Sequence, residues 1–276
     1  MVKFINVGKI YENFELDKIN FSIEKGEIVG IVGRNGAGKT TILKIITGII
    51  RKFYGEIEIL GNKVCDSNKN ENIGVVFDEC PFIPKMTAEK INYSFSGIYK
   101  TWDENKFFEL IKKFGIERNK KVGEYSKGMT VKLQIAVALS HDSKLLILDE
   151  PTNGLDPLSK DLFFDLLYEF MEREERSIII TSHIISDIEK ICDKVLFINA
   201  GKIVFFKHKE EIFEQYALLK CTNKEYSEID KSKIIGDRKN EYSVECLVLK
   251  EHFPINYILD KASIEDVLVF TIRGMK

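Results

Sequence analysis

Residues 33–40 read GRNGAGKT, and this segment decides the predicted fold. It fits the pattern GxxxxGK followed by Ser or Thr, which is typical of a P-loop that cradles phosphate groups. The glycines let successive backbone N–H groups turn toward a polyphosphate, because a Cβ would block the required dihedral angles and the close approach. Lys39 adds a positive charge, and Thr40 offers an oxygen to Mg²⁺. The segment therefore predicts a nucleotide site.

The sequence on either side of this segment predicts where the loop lies. Residues 27–32 (EIVGIV) predict a buried strand, and the apolar residues from 40 to 50 predict a helix. The loop would then sit at a helix N-terminus, where the helix dipole and free N–H groups favour anions. The flanking sequence therefore supports the prediction of a nucleotide site.

Composition excludes several classes of protein. The 276 residues are 44% hydrophobic, which is enough for a core of one or two domains. The 41 basic and 43 acidic residues give a net charge of −2, so we expect no nucleic-acid partner. The cysteines (Cys65, Cys80, Cys192, Cys221 and Cys246) are odd in number and scattered, which indicates reduced thiols and a cytoplasmic location. No apolar run approaches the roughly 18 residues of a membrane span, so any span would belong to another chain.

The pattern of strands and helices predicts an α/β fold of the P-loop NTPase type. Residues 1–25 resemble half-buried antiparallel strands, and the alternation that follows predicts a mostly parallel sheet covered on both faces. Residues 83–140 are predicted to be a mostly helical subdomain inserted into the fold. Residues 216–276 carry no motif and form a small C-terminal accessory region after a main domain at residues 1–215; a strand is expected at 242–249 and a helix or strand at 263–272.

Polar side chains follow three of the predicted strands. Asp149 and Glu150 follow KLLIL, His183 follows SIIIT, and Asp78 follows IGVVF. Ligands of such sheets bind at the carboxyl ends of the strands, so these groups are candidates for Mg²⁺ binding, water activation and phosphate contact. Each also has a structural alternative, because such acids often cap the next helix and such histidines often serve no function.

Three further segments, in this order behind the P-loop, resemble the ATP-binding cassette family: EYSKGMTVKLQIAVALS at 124–140, LLILDEPTNGLDP at 145–157 and TSH at 181–183. The resemblance covers residues 2–215 and implies an ATPase with ATP and Mg²⁺ as cofactors. It implies catalytic roles for Glu150, His183 and Lys39, and metal contacts for Thr40, Asp78 and Asp149. It assigns nucleotide contacts to Tyr11, Gly33, Arg34, Asn35, Gly36, Ala37, Gly38, Lys39, Thr40, Thr41, Ser126, Gly128 and Asp156.

The sequence departs from the family pattern at two places. In the signature, usually LSGGQ, this chain has YSKGM, in which Ser126 and Gly128 match but Lys127 and Met129 do not. Asp78 stands where the family usually has a Gln that senses Mg²⁺ and couples the site to the membrane partner. Asp keeps an oxygen for a hard cation but adds negative charge and loses the amide donor. We expect Asp78 to contact Mg²⁺ or the attacking water, with coupling tuned differently.

The resemblance also implies partners. One P-loop and one signature in the chain imply a head-to-tail homodimer, or a heterodimer with a similar subunit. A separate transmembrane permease is expected, with this chain peripheral on the inner face of the cell membrane. The likeness favours exporters of peptides or antibiotics. The alternatives are a soluble mechanochemical or regulatory ATPase of the same superfamily, and a P-loop kinase, which would not explain YSKGM or TNGLD.

Overall fold

The computed structural model describes residues 1–63, 71–253 and 257–275, so Cys65 lies outside the described residues. The β-strands in chain order are β1 (Val2–Ile10), β2 (Glu15–Ile23), β3 (Ile28–Val32), β4 (Tyr54–Ile59), β5 (Asn62–Lys63), β6 (Ile73–Val76), β7 (Leu145–Asp149), β8 (Ser177–Thr181), β9 (Lys194–Asn199), β10 (Lys202–His208), β11 (Tyr216–Cys221), β12 (Ile234–Lys239), β13 (Val244–Leu249) and β14 (Leu259–Lys261). The α-helices are α1 (Lys39–Ile46), α2 (Ala88–Ser96), α3 (Glu104–Lys113), α4 (Lys127–Leu139), α5 (Pro157–Met171), α6 (Ile185–Ile191), α7 (Lys209–Gln215), α8 (Asn223–Glu228) and α9 (Ile264–Gly274).

The central sheet has the strand order β10-β9-β3-β8-β7-β6. All neighbouring strands in it are parallel except the edge pair β9 and β10. Every residue of β3 is buried, with Ile28 and Val32 in one hydrophobic core and Val29 and Ile31 in another. A strand buried on both faces reads as a continuous apolar run, and this is why EIVGIV carries no alternation. The predicted fold class is confirmed.

A second, antiparallel sheet has the order β2-β1-β4-β5. Its strands alternate buried and exposed residues, as in β2, where Leu16, Ile19, Phe21 and Ile23 face inward. These residues share a core with Ile42 and Ile45 of α1. This second sheet therefore shares a hydrophobic core with α1, the helix that follows the P-loop.

Residues 83–140 contain α2, α3, a 3-10 turn at Val122–Glu124 and α4. The three α-helices begin at polar caps, Thr87, Asp103 and Ser126, whose side chains accept a backbone N–H of the first turn. Buried residues of α3 and α4 belong to the same core as Val76 of β6. The helical segment is thus packed against the edge of the central sheet.

The C-terminal region forms a third sheet of order β12-β13-β11-β14, starting at Tyr216. The segment that could have been helix or strand is the helix α9, which begins after the capping residue Ser263. Leu247 of the sheet and Val267 and Phe270 of α9 are buried in the same core as residues of the central sheet. The region is therefore packed onto the main domain, and the boundary at 215/216 stays a prediction.

None of the helices in the three described ranges is long and apolar enough to cross a bilayer.

Candidate nucleotide-binding site

The P-loop joins the end of β3 to the start of α1. Arg34, Asn35 and Gly36 are exposed. Gly38 directly precedes α1, and no side chain caps the free N–H groups of the helix. Gly36 and Gly38 have φ of +78° and +113°, a left-handed conformation that favours glycine. The loop therefore presents backbone donors at the positive end of a helix, as a phosphate site requires.

Lys39 lies folded across this loop. Its Nζ donates to the carbonyl oxygen of Gly33 at 2.8 Å and to that of Arg34 at 3.3 Å. Burial lowers the pKa of Lys39, and the nearby carboxylates of Glu150 and Asp149 act in the opposite direction. The ammonium group of Lys39 is therefore close both to the loop and to the carboxylates of Asp149 and Glu150.

Asp149 is the last residue of β7 rather than the first residue after it, and it is buried. Thr181, its partner in the adjacent strand β8, donates from Oγ1 to Asp149 Oδ1 at 2.6 Å, and Thr40 also bonds to this carboxylate. Burial raises the pKa of Asp149, whereas the two hydroxyl hydrogen bonds lower it. The donor set of a carboxylate and a threonine hydroxyl fits Mg²⁺, which prefers oxygen ligands.

A metal at this point would depend on those two residues and on the nucleotide. In the parts of the chain that the structure describes, no three His, Cys, Asp or Glu side chains come together as a metal centre. This agrees with the usual way Mg²⁺ binds, through one or two carboxylates plus substrate phosphates.

Glu150 and His183 are in direct contact. His183 Nδ1 lies 2.7 Å from Glu150 Oε2, and the backbone N–H of His183 donates to the same oxygen at 3.1 Å. Glu150 has φ of +52°, which is uncommon for a residue with a Cβ, and its N–H donates to Thr181 Oγ1 at 3.0 Å. Backbone strain of this kind is typical of functional sites. Here the hydroxyl of Thr181 helps to keep Glu150 in its strained conformation by accepting the Glu150 N–H.

Thr181 is a site residue that the sequence interpretation missed. Its hydroxyl accepts from the Glu150 N–H and donates to Asp149, so it fixes both acids. Its place as the last residue of a buried strand, two positions before His183, was the available signal.

Ser126 and Gly128 belong to the signature segment at the start of α4. Ser126 Oγ caps the helix by accepting the N–H of Met129 at 3.2 Å. A Cβ on Gly128 would lie 2.4 Å from the carbonyl oxygen of Gly154, so glycine allows close packing against the TNGLDP segment. The predicted contacts of both residues with nucleotide stay predictions.

Asp156 is engaged within the chain as the cap of α5. Its Oδ1 accepts the N–H of Ser159 at 3.0 Å, and its Oδ2 accepts from Lys132 Nζ at 3.1 Å. Hydrogen bonds from Ser159 and from Lys132 lower the pKa of Asp156. Asp156 therefore caps a helix, and its predicted nucleotide contact stays a prediction.

Asp78 lies beyond the end of β6, and Oδ1 accepts from Lys127 Nζ at 2.8 Å. Asp78 is still close enough to Asp149 to raise the pKa of that carboxyl. Its predicted contact with Mg²⁺ or water stays a prediction.

Tyr11 is 40% exposed and its ring centroid lies 6.1 Å from that of Phe14. Phe14 approaches the P-loop, because a Cβ on Gly38 would lie 3.1 Å from its Cζ. Phe14 thus lies between Tyr11 and the loop, and the predicted contact of Tyr11 with the nucleotide stays a prediction. In the loop itself, Ala37 is buried and Thr41 is half-buried.

A segment without any motif borders a cavity beside the P-loop. A cavity of about 430 Å³ is bordered by Gly33, Arg34 and His183 on one side and by Glu265 and Leu268 of α9 on the other. This contribution of the C-terminal region was not predicted, since only the folded arrangement brings α9 to the P-loop.

A strand, a glycine-rich loop and a helix, with a buried lysine and the carboxylate of a neighbouring strand, define a P-loop nucleotide-binding protein. Residues 16–153 match the model of the ABC transporter family. The chain belongs to this family, binds ATP and is an ATPase.

Named relatives and a solved structure agree with this assignment. The chain is 34% identical over 264 residues to the bacitracin transport ATP-binding protein BcrA of Bacillus licheniformis, covering 93% of this chain and 80% of the relative. It is 35% identical over 230 residues to the lantibiotic transport ATP-binding protein SrtF of Streptococcus pyogenes, covering 79% of this chain and 98% of the relative. A dimeric post-hydrolysis structure of the ATP-binding cassette MJ0796 with ADP and Pi is similar with a TM-score of 0.66 at 26% identity, covering 75% and 98% of the two chains.

Proposed function

We propose that this chain is the ATP-hydrolysing subunit of an exporter, acting as a dimer on a separate membrane-spanning permease. The observation that carries the proposal is the contact of Glu150 with His183 beside a P-loop whose donors are free of side-chain caps. This is an arrangement for attack of water on a terminal phosphate. The chain would lie peripherally on the inner face of the membrane, where its permease presents a docking site.

In the proposed reaction, Glu150 orients and deprotonates the attacking water. Because Oε2 is taken by His183, Oε1 is the oxygen that faces the water. Nε2 of His183 then remains to contact the terminal phosphate, and it donates to a phosphate oxygen when both ring nitrogens carry a proton. Lys39 and the loop N–H groups stabilise the charge that develops on the transferred phosphoryl group.

Mg²⁺, which Thr40 and Asp149 would hold, supplies further charge neutralisation when it is bound. Thr181 keeps Asp149 and Glu150 apart and oriented, since it bonds to one carboxylate and to the main chain of the other residue.

Dimer formation is supported by the positions of the signature and the P-loop, which lie on different parts of the sheet. The exposed signature residue Ser126 belongs to a helix on the edge of the sheet, while the P-loop lies on β3 in its middle. Two copies placed head to tail would give each P-loop a signature from the other copy. Tighter ATP binding in the closed dimer is what would drive closure. A homodimer and a heterodimer with a similar subunit both satisfy this geometry.

The permease contact is proposed on residues 83–140. Of the aromatic residues at positions 82, 93, 95, 99, 102, 107 and 108, only Tyr93 is exposed, at 82%. Phe95, Tyr99 and Trp102 stack on one another instead. Tyr93, with exposed Ile83 and Ile98, offers the apolar surface for a partner.

By analogy with BcrA and SrtF, we propose that the cargo is a peptide or antibiotic.

The test combines one substitution with two readouts. Glu150→Gln should slow Mg²⁺-dependent ATP hydrolysis by roughly 10²- to 10⁴-fold. It should also preserve ATP binding and trap dimers on size-exclusion chromatography. Glu174→Gln, on an exposed glutamate, is the matched control and should change neither. Turnover at the normal rate in Glu150→Gln would remove Glu150 from its role, and a strictly monomeric Glu150→Gln in saturating ATP would refute the dimer.

A second experiment tests the partner. The tagged full chain, recovered from solubilised membranes, should co-purify with a protein of several membrane spans. Recovery with nucleic acid or with soluble protein alone would contradict the transport proposal.

A further inference from the structure

The two departures from the family pattern lie against each other. Lys127 stands at a signature position that is usually glycine, and Asp78 stands where a glutamine is usual. In the structure Lys127 Nζ donates to Asp78 Oδ1 at 2.8 Å, although 49 positions separate them in the chain. Both side chains are about half exposed. The departures are therefore one structural feature rather than two.

A second contact fastens the same two elements. Gln134 of α4 accepts the N–H of Phe77 at 2.9 Å and donates to its carbonyl oxygen at 3.1 Å. Phe77 immediately precedes Asp78. Lys127 and Gln134 are seven positions apart, close to two helical turns, so they lie on the same face of α4, about 10 Å apart along its axis. The helix thus holds the loop after β6 at two points.

Charge explains why each departure needs the other. The first turn of α4 contains no acidic residue, so Lys127 alone would place a cation at the positive end of the helix dipole. Asp78 alone would add a third negative charge near Asp149 and Glu150. When Lys127 and Asp78 are paired, their net charge is zero. This equals the net charge of the glycine and glutamine that the family usually has at these positions.

We propose that Asp78 and Lys127 form a clamp that positions the signature helix relative to the chain's own nucleotide site. Asp78 is close to Asp149 of the chain's own nucleotide site. Lys127 is next to Ser126, which would complete the nucleotide site of the other copy. Each nucleotide site would consist of the P-loop of one copy and the signature of the other. The clamp therefore connects the P-loop part of one site with the signature part of the other site. Both are positioning residues, and the inference rests on the proposed function of a dimeric ATPase.

The test is a double-mutant cycle on the full chain, with ATP turnover measured against ATP and Mg²⁺ concentration. Asp78→Asn and Lys127→Met should each lower turnover by roughly two- to fivefold, the range for solvent-exposed ion pairs. The double variant should be no slower than the slower single variant, because the clamp is already lost once one partner is neutral. Lys127→Arg, which keeps the cation, should behave like the original.

Two further readouts separate the clamp from other roles. High salt should abolish the difference between the single variants and the original chain, since exposed pairs are screened. The clamp is an alternative to the predicted contact of Asp78 with Mg²⁺, so the Mg²⁺ concentration for half-maximal turnover should stay constant across the cycle. The matched control is the pair of Lys113 and Glu109 on α3, also at 2.8 Å and exposed, whose neutralisation should leave turnover unchanged.

Two results would overturn the clamp. Effects that simply multiply in the double variant would show that the two residues act independently. An increased Mg²⁺ requirement in Asp78→Asn alone, with Lys127→Met unaffected, would make Asp78 a metal ligand instead. If the unmodified chain hydrolyses no ATP, the proposed function fails as well; active wild-type protein with additive variants refutes the clamp only.

Discussion

Replacing Gln134 by Met tests how strongly the signature helix is joined to the central sheet. Gln134 is 2% exposed, and its amide satisfies both the N–H and the carbonyl of Phe77. Met has nearly the same volume, so the substitution leaves little cavity and removes mainly the two hydrogen bonds. Phe77 is half-buried, and a typical hydrogen bond contributes about 0.5–1.5 kcal/mol to stability, so the loss of both should cost about 1–3 kcal/mol.

This loss is large enough to measure by calorimetry. In a chain of this size 1 kcal/mol shifts the midpoint of thermal unfolding by about 2–4 °C, so we expect a fall of roughly 2–12 °C. ATP turnover should fall more than ATP affinity, because Phe77 leads into Asp78 and not into the P-loop. The control, Gln215→Met, makes the same chemical change at an exposed position and should alter stability by at most about 0.5 kcal/mol. A midpoint for Gln134→Met within about 1 °C of the original would refute the reasoning, since the two hydrogen bonds to Phe77 would then contribute nothing to stability.

Three other outcomes follow from the structure. Burial lowers the pKa of His141 to about 4, whereas the unfolded chain takes up this proton near its ordinary value of 6.5. Stability should therefore fall by about 3 kcal/mol as pH falls from about 6.5 to 4, and His141→Phe should flatten that part of the curve in thermal unfolding. Gly128→Ala, whose Cβ would lie 2.4 Å from the Gly154 carbonyl oxygen, should cost about 1–3 kcal/mol in calorimetry; an unchanged midpoint would mean that this packing is absent. Thr181→Val removes the hydroxyl between Asp149 and Glu150 and should lower turnover by roughly tenfold or more in an ATPase assay, whereas Thr181→Ser keeps the hydroxyl and should retain most activity.

The sequence was most informative where a motif is continuous in the chain. The P-loop, the strand before it and the helix after it lie within 27–50, and each has a local signal in glycine or in apolar pattern. Asp149 and His183 were found because parallel strands bring their carboxyl ends to one edge. The bounds were less exact, since α1 ends at Ile46 and β7 includes Asp149.

Contacts between distant segments could not be predicted. Gln134 and Phe77 are 57 positions apart, and no periodicity in either segment indicates that they meet. The same holds for α9, whose amphipathic pattern fits any apolar surface but which packs on β12, β13 and α6 and borders a cavity beside the P-loop. Such pairings depend on the whole chain folding, so only local structure was accessible from the sequence.

The contacts of α4 differ enough in strength to assign them different roles. Within eight residues it bonds to the loop after β6 through Lys127 and Gln134 and to the cap of α5 through Lys132. The lysine pairs are partly exposed, and such pairs contribute about 0–1 kcal/mol each. The buried amide of Gln134 protects two main-chain groups and contributes more than both pairs together. Gln134 therefore anchors the C-terminal half of α4 to the sheet, while the charged pairs orient its first turn and can break and re-form without unfolding it. We therefore expect a change at Asp78 or at Asp156 to alter the orientation of Ser126 while the anchored half of the helix stays in place.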